Sequence, residues 1–245
     1  MKILVCITHV PDTTSKISFV ENDTKFNTSG VQYIIGPYDE YALSRAIELR
    51  DMAGGTVTVI NVGSADAEVT IRKALAIGAD DAVRVNADPA DAYFVALQIS
   101  EYAKNENFDL ILMGRESIDF NGNMVHGMVG EMLGLPSLSP IMKLDIQGST
   151  ATMWKEIEGG KEVVTLNMPL VAGCQEPIAE WKLPNMKGIM SARTKPLKVI
   201  EPVAVADAIV ASKYELPAAR SGVKMVDAAT PEKLFELLKN EAKVL

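Results

Sequence analysis

One segment of the 245-residue sequence, residues 114–127, combines the residue types that hold a phosphate-bearing ligand. Glycines at 114, 122 and 127 allow a ligand to approach the backbone closely, and short polar side chains lie between them. The apolar pattern that follows predicts a helix, whose N-terminal N–H groups would point at an anion. Composition alone does not separate this interpretation from an ordinary polar loop that ends in a helix cap.

Other motifs that would define a reaction are missing from the sequence. No G-x-G-x-x-G follows the first apolar run and no G-x-x-x-x-G-K-[ST] occurs, which disfavours Rossmann and P-loop chemistry. His9 and His126 are too few for a His-rich metal site, and neither C-x-x-C nor H-E-x-x-H is present. His126 has no nucleophile or carboxylate at a recognisable spacing, so a hydrolase or transferase that uses Asp119 is a poor alternative.

Composition narrows the class of protein. The 24 Lys and Arg against 32 Asp and Glu give a formal net charge of −8, which argues against a binder of nucleic acid or of anionic membranes. The longest apolar runs are of strand length, well short of the ~20 residues of a membrane span. Cys6 and Cys174 are too few for a disulfide scaffold. With no signal peptide at the start, we expect a cytoplasmic protein without membrane insertion.

Strand-like and helical patterns alternate over the first 135 residues. The strand-like runs are residues 2–7, 56–62, 82–85 and 109–113, and the helical patterns are residues 39–52, 64–77 and 92–105. The runs lack clean polar alternation, which is typical of strands covered on both faces. This order predicts an α/β fold with a doubly wound, mostly parallel sheet. Between residues 137 and 174, runs separated by glycine turns predict a small antiparallel extension.

The rest of the chain divides into two further parts. Residues 175–202 are rich in proline and basic residues and are predicted to form a long surface segment. Residues 203–245 form an arm in which a linker precedes an amphipathic helix over residues 231–242. We therefore divide the chain into residues 1–174, 175–202 and 203–245.

In an open α/β sheet, ligands bind beyond the carboxyl ends of the strands, which directs attention to residues 8–14, 62–66 and 114–123.

Four segments, in order, carry a resemblance to a known family. They are residues 2–5 leading to Pro11-Asp12, residues 70–80 (TIRKALAIGAD), the loop from Gly114 to Ile118-Asp119, and Leu183-Pro184-Asn185 together with Ser221-Gly222-Val223-Lys224. Along nearly its whole length the chain resembles the beta subunit of an electron transfer flavoprotein. The resemblance implies an adenine-nucleotide-binding fold of the HUP type and a heterodimer with an alpha subunit. That heterodimer would carry electrons from flavin dehydrogenases, such as the acyl-CoA dehydrogenases of fatty acid oxidation, to a quinone-linked oxidoreductase.

The resemblance also implies the cofactors and their contacts. FAD is held mostly by the alpha subunit, while the beta subunit buries an AMP in its crevice; in electron-bifurcating relatives a second FAD lies there instead. The implied nucleotide-binding residues are Cys6, Gly36, Pro37, Tyr38, Asp39, Val62, Gly114, Arg115, Ser117, Ile118, Asp119, Asn121, Gly122, Asn123, Met124 and Val125. Leu183 is the implied anchor for partner dehydrogenases, with basic residues around it. The alternative from another class is a stand-alone ATP-binding module of the universal-stress type.

Three positions depart from the family pattern. Many members have Thr or Ser where this chain has Val125, which donates no hydroxyl hydrogen bond, so a phosphate would depend on backbone N–H groups and on Ser117 or Asn123. Gly36 replaces a frequent Asn, and Thr13 lies where several relatives have a Tyr that touches the flavin. These departures leave open whether the crevice takes AMP or FAD.

Overall fold

The computed structural model describes residues 1–89, 91–206, 208–219 and 222–245, so Ser221 of the fourth matched segment lies outside it. The strands are β1 (Lys2–Cys6), β2 (His9–Pro11), β3 (Phe19–Val20), β4 (Lys25–Phe26), β5 (Tyr33–Ile35), β6 (Thr56–Gly63), β7 (Asp81–Asn86), β8 (Leu110–Gly114), β9 (Ser137–Gln147), β10 (Thr150–Ile157), β11 (Gly160–Asn167), β12 (Leu170–Cys174) and β13 (Leu197–Ile200). The helices are α1 (Pro37–Ala53), α2 (Glu68–Ile77), α3 (Ala92–Ala103), α4 (Val125–Leu133), α5 (Met186–Ala192) and α6 (Glu232–Glu236).

The main sheet of the described residues has nine strands in the order β11-β10-β9-β12-β8-β1-β6-β7-β13. The pairs from β9 to β13 along this order are parallel, and β9, β10 and β11 pair antiparallel at one end. The predicted α/β fold with a mostly parallel sheet and an antiparallel extension is therefore confirmed. The chain moves from β1 to β6 and β7 on one side and then returns to β8 on the other, so strand order reverses between β1 and β8.

Helices cover both faces of this sheet because successive residues of a strand point to opposite sides. On β1, Ile3 and Val5 belong to the apolar cluster that includes the buried residues of α1 and α2. Leu4 and Cys6 belong to the cluster formed with α3 and α4. Fully burying a side chain such as Ile3 stabilises the fold by roughly 1.5–3 kcal/mol. Two-sided burial explains why the strand sequences are almost continuously apolar.

Residues 175–202 contain regular secondary structure that the sequence does not predict for this segment. They contain α5, which packs on α2, and the edge strand β13, which pairs in parallel with β7. The strand is only four residues long and lies between Pro196 and Pro202. Because it is only partly buried, it lacks the continuous apolar sequence of an inner strand. The short ladder between β2 and β5 was likewise not predicted, because each strand has three residues.

Contacts divide the chain into two units, one of residues 1–17 and 27–212 and the other of residues 18–26 and 213–245. Within the second unit, the β3–β4 hairpin carries Phe19, whose ring stacks on Tyr214 at a centroid distance of 5.2 Å. Its predicted C-terminal helix is α6, which continues as a π-helical segment, Leu237–Ala242. No helix in the described residues is long and apolar enough to span a bilayer.

Candidate functional site

The carboxyl ends of β1 and β8 define the candidate site, since this is where the strand order reverses. In open α/β sheets the neighbouring crossover helices diverge at such a point and leave a crevice for ligands. Cys6, the last residue of β1, is level with Met113 on β8, and Gly114 ends β8 immediately beyond it. The first turn of α1 and the loop that precedes α4 meet at the same edge.

Asp39, in the first turn of α1, links the two strand ends. Its Oδ2 accepts hydrogen bonds from the Thr8 backbone N–H at 2.8 Å and the Thr8 hydroxyl at 2.6 Å. Its Oδ1 accepts the Gly114 N–H at 2.8 Å. The residue is only 3% exposed, and a carboxylate near a helix N-terminus is favoured by the helix dipole. One side chain therefore ties β1, β8 and α1 together.

Two glycines make this close arrangement possible. A Cβ on Gly114 would lie 2.6 Å from Asp39 Oδ1 and 2.7 Å from Tyr38 Cβ. A Cβ on Gly36 would lie 2.4 Å from Thr8 Oγ1 and 2.5 Å from Asp39 Oδ2. Both positions therefore need glycine for close packing and not for an unusual backbone angle.

Burial and hydrogen bonding act on the Asp39 carboxyl in opposite directions. Burial, with a smaller contribution from the Asp119 charge, raises its pKa to about 6, against the lowering effect of the Thr8 and Gly114 hydrogen bonds. Burial likewise raises the pKa of the Cys6 and Cys174 thiols, with a further contribution from Asp39. Both cysteines are therefore neutral apolar groups at the floor of the site rather than nucleophiles.

The glycine-rich loop, residues 114–124, follows β8 and leads into α4. The Arg115 guanidinium lies over the Tyr38 ring, 5.0 Å from its centroid, and donates to Gln175 Oε1 at 3.0 Å. Residues 119–124 are exposed, and Asn121 and Asn123 adopt positive φ angles of 51° and 48°. Asparagine tolerates this region better than most residues, which lets the loop turn sharply into α4.

His126, near the start of α4, forms hydrogen bonds at the C-terminal end of this loop. Its Nε2 lies 2.7 Å from Asn123 Oδ1 and its Nδ1 lies 3.3 Å from Ser137 Oγ. Burial lowers the pKa of the imidazole, so it is neutral at pH 7. The ring is engaged in structural contacts with the loop before α4 and with the start of β9.

The N-terminus of α4 has the properties of an anion site. The first-turn N–H groups of any α-helix lack intrahelical acceptors, and Met124 at the N-cap provides no side-chain acceptor for them. The preceding residues are exposed and small or polar, and no carboxylate caps the helix. The donors present therefore fit a phosphate group.

The structure gathers the predicted site residues at this one edge. Cys6, Val62 and Gly114 come from the ends of β1, β6 and β8, and residues 36–39 come from the start of α1. Arg115, Ser117, Ile118, Asp119, Asn121, Gly122, Asn123, Met124 and Val125 form the loop and the first residue of α4. Leu183 lies apart from them, in the segment before α5. Thr8 lies in the segment 8–14 to which the strand-end rule directs attention, but it is not among the binding residues that the resemblance implies.

A second surface surrounds Leu183. Its side chain is 70% exposed, and those of Met186 and Met190 on α5 are 74% and 71% exposed. Lys182 precedes Leu183 and Lys187 follows Met186 in the sequence. We call Leu183, Met186 and Met190 the apolar patch. Exposed apolar side chains grouped in this way, beside basic ones, are typical of protein-docking surfaces.

The segment that carries the apolar patch is hydrogen-bonded to α2 and to the residues that follow it. Arg72 Nη1 donates to the carbonyl oxygens of Ala192 at 3.0 Å and Lys195 at 2.9 Å. Lys195 Nζ donates in return to the carbonyl oxygens of Leu75 at 2.9 Å and Ala79 at 2.5 Å. Arg72, Leu75 and Ala79 belong to the TIRKALAIGAD motif, which thus serves to hold residues 186–195 against α2.

Gly188 gives a direct test of this fastening. A Cβ at this position would lie 2.2 Å from the Ala76 carbonyl oxygen, so Gly188→Ala must displace α5 from α2. We expect faster amide hydrogen exchange over residues 182–195, with nucleotide content unchanged, as measured by mass spectrometry. Gly160→Ala, which has open space around its Cβ, is the control. Unchanged exchange in Gly188→Ala would show that α5 is not held by this contact.

Comparison with known proteins identifies the family. The electron transfer flavoprotein domain model matches residues 23–205. The chain belongs to the electron transfer flavoprotein family. It is similar to the beta subunit of Bacillus subtilis, 37% identical over 205 residues that cover 82% of this chain and 79% of the relative. The beta subunit of Syntrophomonas wolfei is 37% identical over 100% of this chain and 98% of its own length. The mitochondrial beta subunit of Oryza sativa subsp. indica is 30% identical, with both chains fully covered.

Proposed function

We propose that this chain is the beta subunit of a heterodimeric electron transfer flavoprotein. It pairs with an alpha subunit in the cytoplasm and forms a carrier that takes electrons from flavin dehydrogenases, such as acyl-CoA dehydrogenases, and passes them to a quinone-linked oxidoreductase. The observation that carries the proposal is the reversal of strand order between β1 and β8, with a glycine-rich loop and an α4 N-terminus that lacks a side-chain cap at that edge, in a chain of this family. FAD, when bound, supplies the redox chemistry.

The crevice binds AMP as a structural nucleotide. Its phosphate lies at the N-terminus of α4, where backbone N–H groups compensate for the missing hydroxyl at Val125. Ser117 is a polar side chain of the same loop, and so is Asn123, which is paired with His126. Residues 36–39 and the ends of β1 and β6 enclose the remainder of the nucleotide. Its binding stabilises the subunit, because a ligand that binds only the folded state favours that state.

The apolar patch docks the dehydrogenases. Leu183 enters an apolar pocket of the partner, and the basic residues of the same segment favour partners with an acidic rim. The C-terminal arm binds the alpha subunit. Within the second unit, Leu234 and Phe235 of α6 are each about half exposed, and a short amphipathic helix needs a partner surface to be stable.

Gentle purification of the tagged chain from its native cells tests the proposal. We expect an alpha subunit to co-purify, with one FAD and one AMP released by acid for each heterodimer. Two FAD and no AMP would instead assign the crevice to a second flavin, as in bifurcating relatives. A homodimer with ATP and no flavin would contradict the proposal and favour a stand-alone nucleotide-binding module.

A further inference from the structure

The buried carboxylate of Asp39 is engaged by the protein through both of its oxygens. Oδ2 accepts from the two Thr8 groups and Oδ1 accepts from the Gly114 N–H. The family resemblance places this position against the nucleotide, yet a carboxylate beside a phosphate would repel it. The contacts of Asp39 therefore suggest that it acts on the crevice through the residues that it binds.

Thr8 and Gly114 lie on the two sides of the switch point. Thr8 is in the loop after β1 and Gly114 ends β8, so a side chain that binds both joins the two strand ends. Asp39 accepts one backbone N–H from each, and Gly36 and Gly114 bring the backbone so close that a methyl group would not fit. Gly114 is also the first residue of the glycine-rich loop, so any shift there is passed to the loop.

We propose that Asp39 is a positioning residue of the nucleotide crevice: its carboxylate holds the N–H groups of Thr8 and Gly114 together, and the crevice binds nucleotide tightly only in that arrangement. This inference rests on the proposed nucleotide-binding function and deepens it. The ionised carboxylate is the working form, since hydrogen bonds to a charged acceptor are roughly twice as strong as those to a neutral one. Nucleotide binding should then weaken as Asp39 takes up a proton.

The groups around Asp39 leave its own carboxyl as the group whose ionisation governs this arrangement in mildly acidic solution. Cys6 on β1 and Cys174 on β12 interact with it, and burial raises the pKa of both thiols, so they are neutral throughout this range. Asp119, in the loop after β8, is the charged group that acts on it, and Glu40 on its own helix is paired with Lys73 at 2.6 Å. Burial raises the pKa of Asp39 to about 6.

The test measures AMP affinity by calorimetry from pH 5 to pH 8 for the wild-type chain in its purified complex. Asp39→Asn is the decisive variant, because an amide NH2 must face either the Thr8 or the Gly114 N–H and leaves that donor without an acceptor. We expect AMP affinity to fall by about tenfold or more at pH 7.5. Glu40→Gln changes a neighbouring buried carboxylate that touches neither strand end, and we expect it to retain the wild-type affinity.

The pH profile separates positioning from a general loss of stability. The AMP phosphate itself titrates near pH 6, so adenosine, which has no phosphate, is used as a second probe. Wild-type affinity for adenosine should decline below about pH 6, and the Asp39→Asn profile should be flat. Thr8→Val keeps the backbone bond and loses only the hydroxyl bond that lowers the pKa of Asp39, so its midpoint should move to higher pH.

Amide resonances of Thr8 and Gly114 provide a readout that needs no ligand. In wild type, both N–H signals should shift together with a midpoint near pH 6, and the shift should vanish in Asp39→Asn. Equal affinity and equal pH profiles in wild type and Asp39→Asn would overturn the proposal. If neither AMP nor adenosine binds at any pH, the proposed function fails instead. If the Thr8 and Gly114 amide signals then also shift with different midpoints, the positioning role is overturned as well.

Discussion

Gly114→Ala should destabilise the subunit and abolish tight nucleotide binding. The added Cβ would meet Asp39 Oδ1 at 2.6 Å, Tyr38 Cβ at 2.7 Å and the Asp39 backbone nitrogen at 3.0 Å. Two of these contacts are shorter than any relaxed structure tolerates, and they involve helix α1, which cannot move without disturbing the core. We expect the free energy of unfolding to fall by about 1–3 kcal/mol, as for other overpacked sites.

The loss of AMP affinity in Gly114→Ala should exceed tenfold, because the same change separates the Gly114 N–H from Asp39 and shifts the loop before α4. Denaturant unfolding and calorimetry measure the two effects. Gly160→Ala is the matched control, since nothing lies within 4 Å of a Cβ at this first residue of β11. If Gly114→Ala retained wild-type AMP affinity, the crevice between β1 and β8 would not be the nucleotide site.

The sequence predicted those parts of the fold that are buried on both faces. Strands such as β1 and β8 are buried along almost their whole length, which leaves a continuous apolar run that needs no tertiary information to detect. The strand β13 and the helix α5 escaped prediction for the opposite reason. A half-exposed strand of four residues and a helix of seven are too short for a periodic pattern, and tertiary contacts with β7 and α2 stabilise them.

The site was predictable in position but not in its internal contacts. Strand ends and glycines directed attention to the loop at Gly114, since the strand-end rule depends only on chain order. The central role of Asp39 depends on residues 31 and 75 positions away, Thr8 and Gly114, which no local pattern connects. Arg72 shows the same limit: the motif that contains it was recognised, but its bonds to Ala192 and Lys195 span more than 100 residues.

Leu183→Ala should weaken electron transfer from a partner dehydrogenase without loss of flavin. The side chain is 70% exposed and lies outside both apolar clusters, so its removal costs the isolated subunit little stability. An anchor residue at a docking surface contributes about 2 kcal/mol or more, which corresponds to roughly a 30-fold rise in the KM of the dehydrogenase for the carrier. We expect kcat at saturating carrier to change little, because the redox centres are unaltered.

Stopped-flow reduction of the carrier by a reduced dehydrogenase measures this effect, and the flavin absorbance of the purified complex reports cofactor content. Met52→Ala removes a similarly exposed apolar side chain from the last turn of α1 and should leave KM unchanged. Because Arg72 and Gly188 hold α5 in place, Gly188→Ala should raise KM as well, although Leu183 itself is intact. A rise in KM with Leu183→Ala but none with Gly188→Ala would mean that Leu183 docks without the rest of the apolar patch. Loss of flavin in Leu183→Ala would show that this residue supports the cofactor domain rather than the partner.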